Sequence, residues 1–268
     1  MKTRMLCLGT LLMGFTLLCS CGDSDGVSQS ADSKCGDKSY DPDKQLCDDR
    51  DNRVYNYVVI APKGSGYSKS WMAENLRYST EEGSFCEGAL SEDGDKSFDC
   101  DKYGRLYTWP AAVGKSESEC GEGMECNLGS ERVQGVCPKG WHLPSEEEWN
   151  ELVVAVDEKI TDYSFNNNAG IKLKSKSGWI AESEDDVRNG LDSYGFTALA
   201  AGDWDCHGEG YYDDEGYDAF FWTSTEFSSG RAYYVVLYNE LDDDGNDAVV
   251  VESLSKRYGF SVRCVKDD

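Results

Sequence analysis

The chain has 268 residues, 51 of them acidic and 26 basic, for a net charge of −25. That charge repels phosphate backbones and anionic headgroups, so nucleic acid and a charged lipid surface are excluded as expected partners. An apolar content of 39%, with seven Trp and sixteen Tyr, is that of a folded domain and excludes a disordered chain.

Lys2 and Arg4 open the chain, and an apolar run follows from Leu6 to Leu18. The run is shorter than the about 20 residues needed to cross a bilayer core. A basic flank and a short apolar core make residues 1–20 a secretory signal. Leu18-Cys19-Ser20-Cys21 resembles a bacterial lipobox. Cys21 is therefore the expected lipidation site, with palmitate among its acyl chains and those chains as the membrane contact. The expected location is the cell envelope, on the outer membrane facing outside or in the periplasm. Losing Lys2 and Arg4 with the signal moves the net charge from −25 to −27. Residues 21–34 are rich in Ser, Asp and Gly and read as a flexible tether. Residues 35–268 suffice for one substantial core.

In chain order, Arg53–Ile60 is rich in Val and Tyr and predicts a strand. Leu143-Pro144 precedes the clearest helix. Ser145 with Glu148 forms a capping box, and Trp149, Leu152, Val153 and Val156 repeat at helical spacing until the pattern fades near Asp157–Lys159. The three glutamates at 146–148 complement the helix dipole and are expected to be solvated. A shorter helix is expected over Asn167–Leu173. Short apolar and β-branched runs predict strands at Phe196–Ala200, Phe220–Thr225, Tyr233–Tyr238, Ala248–Leu254 and Gly259–Val265. The acidic stretch Asp242–Asn246 between two of them reads as a hairpin loop with Asp-Gly as its turn signal. The fold class is α+β, one or two helices on a twisted antiparallel sheet with long disulfide-tied loops.

Beyond Cys21, the cysteines are 35, 47, 86, 100, 120, 126, 137, 206 and 264. An exported chain meets oxidising conditions, so most should pair. Spacing points to three local bridges, Cys35–Cys47, Cys86–Cys100 and Cys120–Cys126. A fourth, Cys137–Cys264, would staple the ends of the domain. Cys206 is left as a free thiol, which its acidic neighbours should hold protonated.

Several motifs carry a resemblance. They are Trp71-Met72-Ala73-Glu74-Asn75-Leu76, Tyr103-Gly104-Arg105-Leu106-Tyr107-Thr108-Trp109, and Gln134 through Ser145 with Cys137-Pro138-Lys139-Gly140-Trp141-His142-Leu143-Pro144. Phe221-Trp222-Thr223-Ser224-Thr225-Glu226 and Tyr258-Gly259-Phe260-Ser261-Val262-Arg263-Cys264 complete the set. In this order they resemble the Fibrobacter succinogenes major paralogous domain family, which implies a surface or periplasmic lipoprotein. The Trp-x-Leu-Pro-Ser start of the helix and the terminal Gly-Phe-x-Val-Arg are similar, more distantly, to the C-type-lectin-like fold of formylglycine-generating enzymes. The Glu-Pro-Asn and Trp-Asn-Asp motifs of calcium lectins are absent, as is the enzyme's cysteine pair before the last strand.

No nucleophile elbow, P-loop, HExxH or dinucleotide fingerprint occurs. With two histidines and no CxxC, zinc is not expected; His142 is expected to be a packed residue. Oxygen-rich loops suit calcium, and Asp242, Asp244 and Asp247 are its expected ligands. Asp213, Asp214, Glu215 and Asp218 crowd a second loop. Trp204, Tyr211, Tyr212 and Tyr217 are expected to contact a ligand such as a sugar ring. These readings lead to a non-catalytic interaction module that binds glycan or an envelope partner. An enzyme of the formylglycine-generating or a hydrolytic type, and a coat protein without a small ligand, are the alternatives.

Overall fold

A computed structural model describes residues 33–86, 98–129, 132–157, 159–160, 165–180, 188–207, 210–241 and 245–268. The expected signal segment, Cys21, Asp242 and Asp244 lie outside the described residues. The elements run β1 (Ser33–Cys35), β2 (Lys38–Tyr40), β3 (Gln45–Asp48), β4 (Arg53–Ile60), β5 (Lys69–Met72), β6 (Ser84–Phe85), α1 (Cys100–Tyr103), β7 (Leu106–Tyr107), α2 (Trp109–Ala112), α3 (Glu117–Cys120), β8 (Trp141–His142), α4 (Glu146–Asp157), α5 (Ala169–Leu173), β9 (Asp203–Asp205), β10 (Tyr211–Asp213), β11 (Ala219–Ser228), β12 (Arg231–Leu237), β13 (Val249–Ser255) and β14 (Val265–Lys266). The class is α+β, with antiparallel sheets and few helices. The expected tether gives way to structure before residue 35, because Ser33 and Lys34 already pair with Tyr40 and Ser39.

The main helix starts where the sequence marks it. Ser145 Oγ accepts from Glu148 N at 3.2 Å, and Glu148 Oε2 accepts from Ser145 N at 3.1 Å, the reciprocal bonds of a capping box. Trp149, Leu152, Val153 and Val156 are all fully buried. Trp149 packs on Trp71 at 4.8 Å and on Phe221 at 5.4 Å. Each such side chain contributes about 1.5–3 kcal/mol by leaving water.

Strands β11, β12 and β13 form an antiparallel sheet that is buried on both faces. Phe220, Trp222, Tyr234 and Val236 enter one core, while Ala219, Phe221, Val235 and Leu237 enter the other, which also holds α4. Alternation along the strand therefore sends apolar residues both ways, and this is why these strands read as apolar runs. The second sheet has the order β3-β4-β5-β14-β8.

Two expected strands are not continuous. Phe196–Ala200 is a loop with a single bridge, Ala198 to Lys174, because Thr197 has φ 55° and turns the chain. Asp192 fixes that turn, accepting from Thr197 N at 2.8 Å and Thr197 Oγ1 at 2.9 Å. Phe196, Ala198 and Ala200 are apolar because the loop is buried. Gly259–Val265 is likewise divided among several elements. Gly259 bonds to Trp204, Phe260 to Tyr107, Ser261 to Phe220 and Trp222, Val262 to Leu76, and Cys264 to Met72. Its regular pairing is confined to β14, between β5 and β8.

Among the described residues four disulfides are present, Cys35–Cys47, Cys86–Cys100, Cys120–Cys126 and Cys137–Cys264, with Cα–Cα distances of 5.5, 5.7, 4.7 and 5.9 Å. The first three are the local pairs that the spacing suggests, and the fourth is the expected staple between the ends of the domain. Beside the last of them, Arg263 is completely buried. Its guanidinium donates to Asn75 Oδ1 at 2.5 Å, Met72 O at 3.0 Å, Phe196 O at 2.5 Å and Thr197 O at 2.9 Å.

Candidate groove at Trp204

Strands β9 and β10 form a two-stranded ribbon in which Trp204 opposes Tyr212, Asp203 opposes Asp213 and Asp205 opposes Tyr211. Side chains alternate, so Trp204 and Tyr212 share one face and Asp203, Asp205, Tyr211 and Asp213 the other. The aromatic face packs inward. Tyr212 is buried and stacks on Phe98 at 4.4 Å, and Trp204 stacks on Phe85 at 4.5 Å and meets Tyr212 edge-on at 5.1 Å.

This arrangement corrects the expected aromatic ligand surface. Tyr212 is a core residue whose hydroxyl donates to Cys86 O at 2.6 Å. Tyr211 shares the opposite face with the acidic residues. Tyr217 is exposed and lies outside the groove that Trp204 lines. Of the four expected residues, Trp204 is the one that lines this groove.

The groove has a volume of about 520 Å³. Phe85 and Trp204 supply aromatic surface, and Thr108, Glu117, Glu122 and Arg257 supply polar groups. They come from β6, β9, the cap of α2, the first turn of α3 and the turns after α3 and β13. Gly210 also lines it, and a Cβ there would fall 2.1 Å from the Trp204 ring, so backbone and indole touch only because residue 210 is glycine. Arg257 and Glu122 face each other at 3.7 Å on the exposed rim. No local spacing in the sequence announces this set, because its members come from separate segments. A larger open groove, about 890 Å³, runs beside α4 between Lys63–Lys69 and Glu151, Val154 and Ala155, with Ile160 and Asp268 also lining it.

Cys206 lines the Trp204 groove and is a free, half-buried thiol. Burial pushes its pKa up, Arg257 opposes that shift and Asp205 adds to it. The thiol is thus a weak nucleophile. One donor atom each from Asp205, Cys206 and His207 lies within 4.8 Å of the other two. That set of carboxylate, thiol and imidazole has the chemistry to hold a zinc-like ion. In this structure Asp205 Oδ1 instead bonds His207 Nδ1 at 2.5 Å, and the Tyr258 hydroxyl stands 3.4 Å from the same nitrogen.

The expected calcium ligand Asp247 has another role. Its carboxylate lies 2.8 Å from Nζ of Lys174, which is completely buried and also donates to Tyr238 O at 2.5 Å. Asp247 is thus the counter-ion of a fixed ammonium group, and that compensation lets Lys174 stay inside. Lys256 repeats the arrangement, with Glu226 at 2.5 Å, Met124 O at 2.7 Å and its ammonium 4.8 Å from the Trp109 ring.

His142 is buried away from the groove. Its Nδ1 lies 2.8 Å from Asp267 and its Nε2 3.0 Å from Glu148, which also meets Lys69 at 3.1 Å. The motif histidine therefore ties β8 to the start of α4 and to the segment after β14. Glu148 is correspondingly drawn into this cluster rather than solvated, which corrects the expectation for the first helical turn.

No curated protein and no solved structure matches the chain. The family profile described as the Fibrobacter succinogenes major domain matches residues 68–266, spanning the elements from β5 through β14. With most of its length inside that match, the chain belongs to the Fibrobacter succinogenes major domain family.

Proposed function

We propose that the protein is a lipid-anchored, non-catalytic binding module of the cell envelope, and that its Trp204 groove takes a neutral glycan. The observation that carries this reading is the composition of the groove. Phe85 and Trp204, stacked on each other, share the lining with two carboxylates, a hydroxyl and a guanidinium. Carbohydrate offers apolar C–H patches to the aromatic surface and hydroxyls to the rim. Carboxylates accept from hydroxyl groups and Arg257 donates to them. The protonated state of Cys206 supports a binding role over thiol chemistry. The domain's α+β make-up and the terminal Gly259-Phe260-Ser261-Val262-Arg263 support a C-type-lectin-like fold of the formylglycine-generating-enzyme type. Cys21 is the anchor, on the strength of the sequence before it.

A glycan array probed with the protein tests the ligand. Neutral oligosaccharides should be retained, and Arg257→Ala or Glu122→Gln, both at exposed positions, should reduce retention at least tenfold. An array on which nothing binds, or on which both variants match the parent, refutes the groove and favours the coat-protein alternative. Radiolabelled palmitate should enter the parent but not Cys21→Ala; label persisting in that variant refutes the anchor.

A further inference from the structure

Three metal-binding side chains of different kinds meet where β9 ends. One donor atom each of Asp205, Cys206 and His207 lies within 4.8 Å of the other two. Successive residues of an extended strand point to opposite faces, so three in a row do not ordinarily converge. Here the strand stops at Asp205 and the chain turns. His207 N donates to Asp205 Oδ1 at 2.7 Å, and Gly210 N donates to His207 O at 3.0 Å. Cys206 is also the cysteine that has no disulfide partner among the described residues.

Thiolate, imidazole and carboxylate are the donors that zinc takes, at about 2.3, 2.0 and 2.0 Å. In a tetrahedron those bonds set the donors roughly 3.3–3.5 Å apart, so shifts of little more than about 1 Å would seat an ion. The side chain of His207 is 74% exposed and free to make such a shift. Its present hydrogen bond to Asp205, 2.5 Å long, would open as the ion takes the place of the shared proton. A further residue supports the pair from another part of the chain. The Tyr258 hydroxyl stands 3.5 Å from Asp205 Oδ2, and its ring meets the imidazole edge-on at 5.9 Å. Partners of this kind orient metal ligands from behind. Arg257 and Glu122, which face each other at 3.7 Å, act on the thiol in opposite directions, so the nearby guanidinium is balanced.

We propose that Asp205, Cys206 and His207 form a zinc site beside the Trp204 groove, with the fourth position left to water or to a donor atom of a bound molecule. On binding, the Cys206 S–H bond breaks, its proton passes to solvent, and the thiolate sulfur takes the metal. An ionised Asp205 and a neutral His207 complete a ligand set with two negative charges, which match the ion's two positive ones. Ligand softness decides the metal. The thiolate and imidazole turn the site away from calcium and magnesium, and the carboxylate turns it away from copper(I). Three protein ligands and an open position are the pattern of accessible zinc rather than of closed structural sites. A bound ion would also withhold the thiol from oxidation. The site does not rest on the glycan reading, because the ion alone occupies it.

The test uses the full chain after chelation, with Cys7, Cys19 and Cys21 replaced by Ser so that Cys206 is the one thiol outside the four disulfides. The probe is the metal alone. Cobalt(II) takes zinc's geometry and is coloured. It should give a near-ultraviolet thiolate charge-transfer band and the intense visible bands of tetrahedral coordination, and equimolar zinc should bleach both. Cys206→Ser in this background should remove the charge-transfer band. His207→Ala, at an exposed position where folding should be unaffected, should weaken cobalt binding roughly tenfold or more. Circular dichroism checks that both variants are folded. A parent that stays colourless in excess cobalt, a charge-transfer band that survives Cys206→Ser, or an affinity unchanged in His207→Ala overturns the site.

Discussion

Replacing Arg263 tests how the last stretch of the chain holds the two cores together. The guanidinium is buried, bonded to four acceptors, and 4.7 Å from the Phe196 ring. Three of the acceptors are backbone carbonyls, of Met72, Phe196 and Thr197. Burial lowers its pKa to about 9, so it remains charged at neutral pH. Methionine would fill much of the space but donate nothing. Each acceptor left dry costs about 1–3 kcal/mol. Against this stands the desolvation no longer required for the charge, which can offset several kcal/mol. With four acceptors orphaned, the net loss for Arg263→Met should be at least about 3 kcal/mol. For a domain of this size, that corresponds to a melting temperature lower by roughly 6–12 °C. Arg263→Lys keeps a charge, but one ammonium cannot span acceptors held in a planar fork, so it should lose at least about 2 kcal/mol. Urea denaturation followed by circular dichroism, with unchanged m values, measures both. A loss below about 1 kcal/mol for methionine, or a lysine variant equal to the parent, refutes the argument that these bonds join the segments.

The His142 cluster should shape the pH profile of stability. Burial pushes His142 down, but Glu148 and Asp267 overcome it and raise its pKa above 6.5, so its contribution is complete below 6.5 and is lost as pH rises through the folded value. Burial pushes Glu148 up, but His142, Ser145 N and Lys69 bring it down to about 2, so its contribution is present above 4.5 and is lost as pH falls toward 2. Denaturation between pH 2 and 8 should therefore show a maximum near pH 4.5–6.5 that Glu148→Gln flattens; an unchanged profile would rule the cluster out as its source. The Cys206 thiol should label slowly in the native state and rapidly in denaturant, and a reduction-sensitive dimer lost in Cys206→Ser would contradict the free thiol. Removing Cys137–Cys264, which spans 127 residues, should cost close to 5 kcal/mol in the chain-entropy model, and a Cys137→Ser/Cys264→Ser protein as stable as the parent would contradict it.

The local features of the fold are legible in the sequence. Caps, helical spacing and β-branched runs locate α4, β4 and the β11–β13 sheet, because each is decided by neighbours in the chain. Cysteine spacing carries the three local disulfides for the same reason, whereas Cys137–Cys264 spans 127 residues and is suggested only by where its two cysteines stand in the chain. The groove is not legible, since Phe85, Glu117, Trp204 and Arg257 are brought together only by the folded chain. The buried ions are equally hidden. Nothing in Lys174 or Asp247 distinguishes them from the solvated charges that make up most of this acidic sequence.

The division of residues 259–266 among β9, β7, β11, β5 and β8 has a consequence for biogenesis. These residues form the last of the described elements to leave the ribosome, yet they supply bonds to segments made much earlier. Until they arrive, the Tyr107, Trp204 and Phe221 segments lack the backbone partners that join them. Contacts of such long sequence separation are closed late and slowly. The contacts that close this fold are therefore made only once its last strand is available. Deleting residues from Gly259 onward should therefore leave no trimmed domain, but a protease-sensitive chain whose earlier strands have nothing to close on.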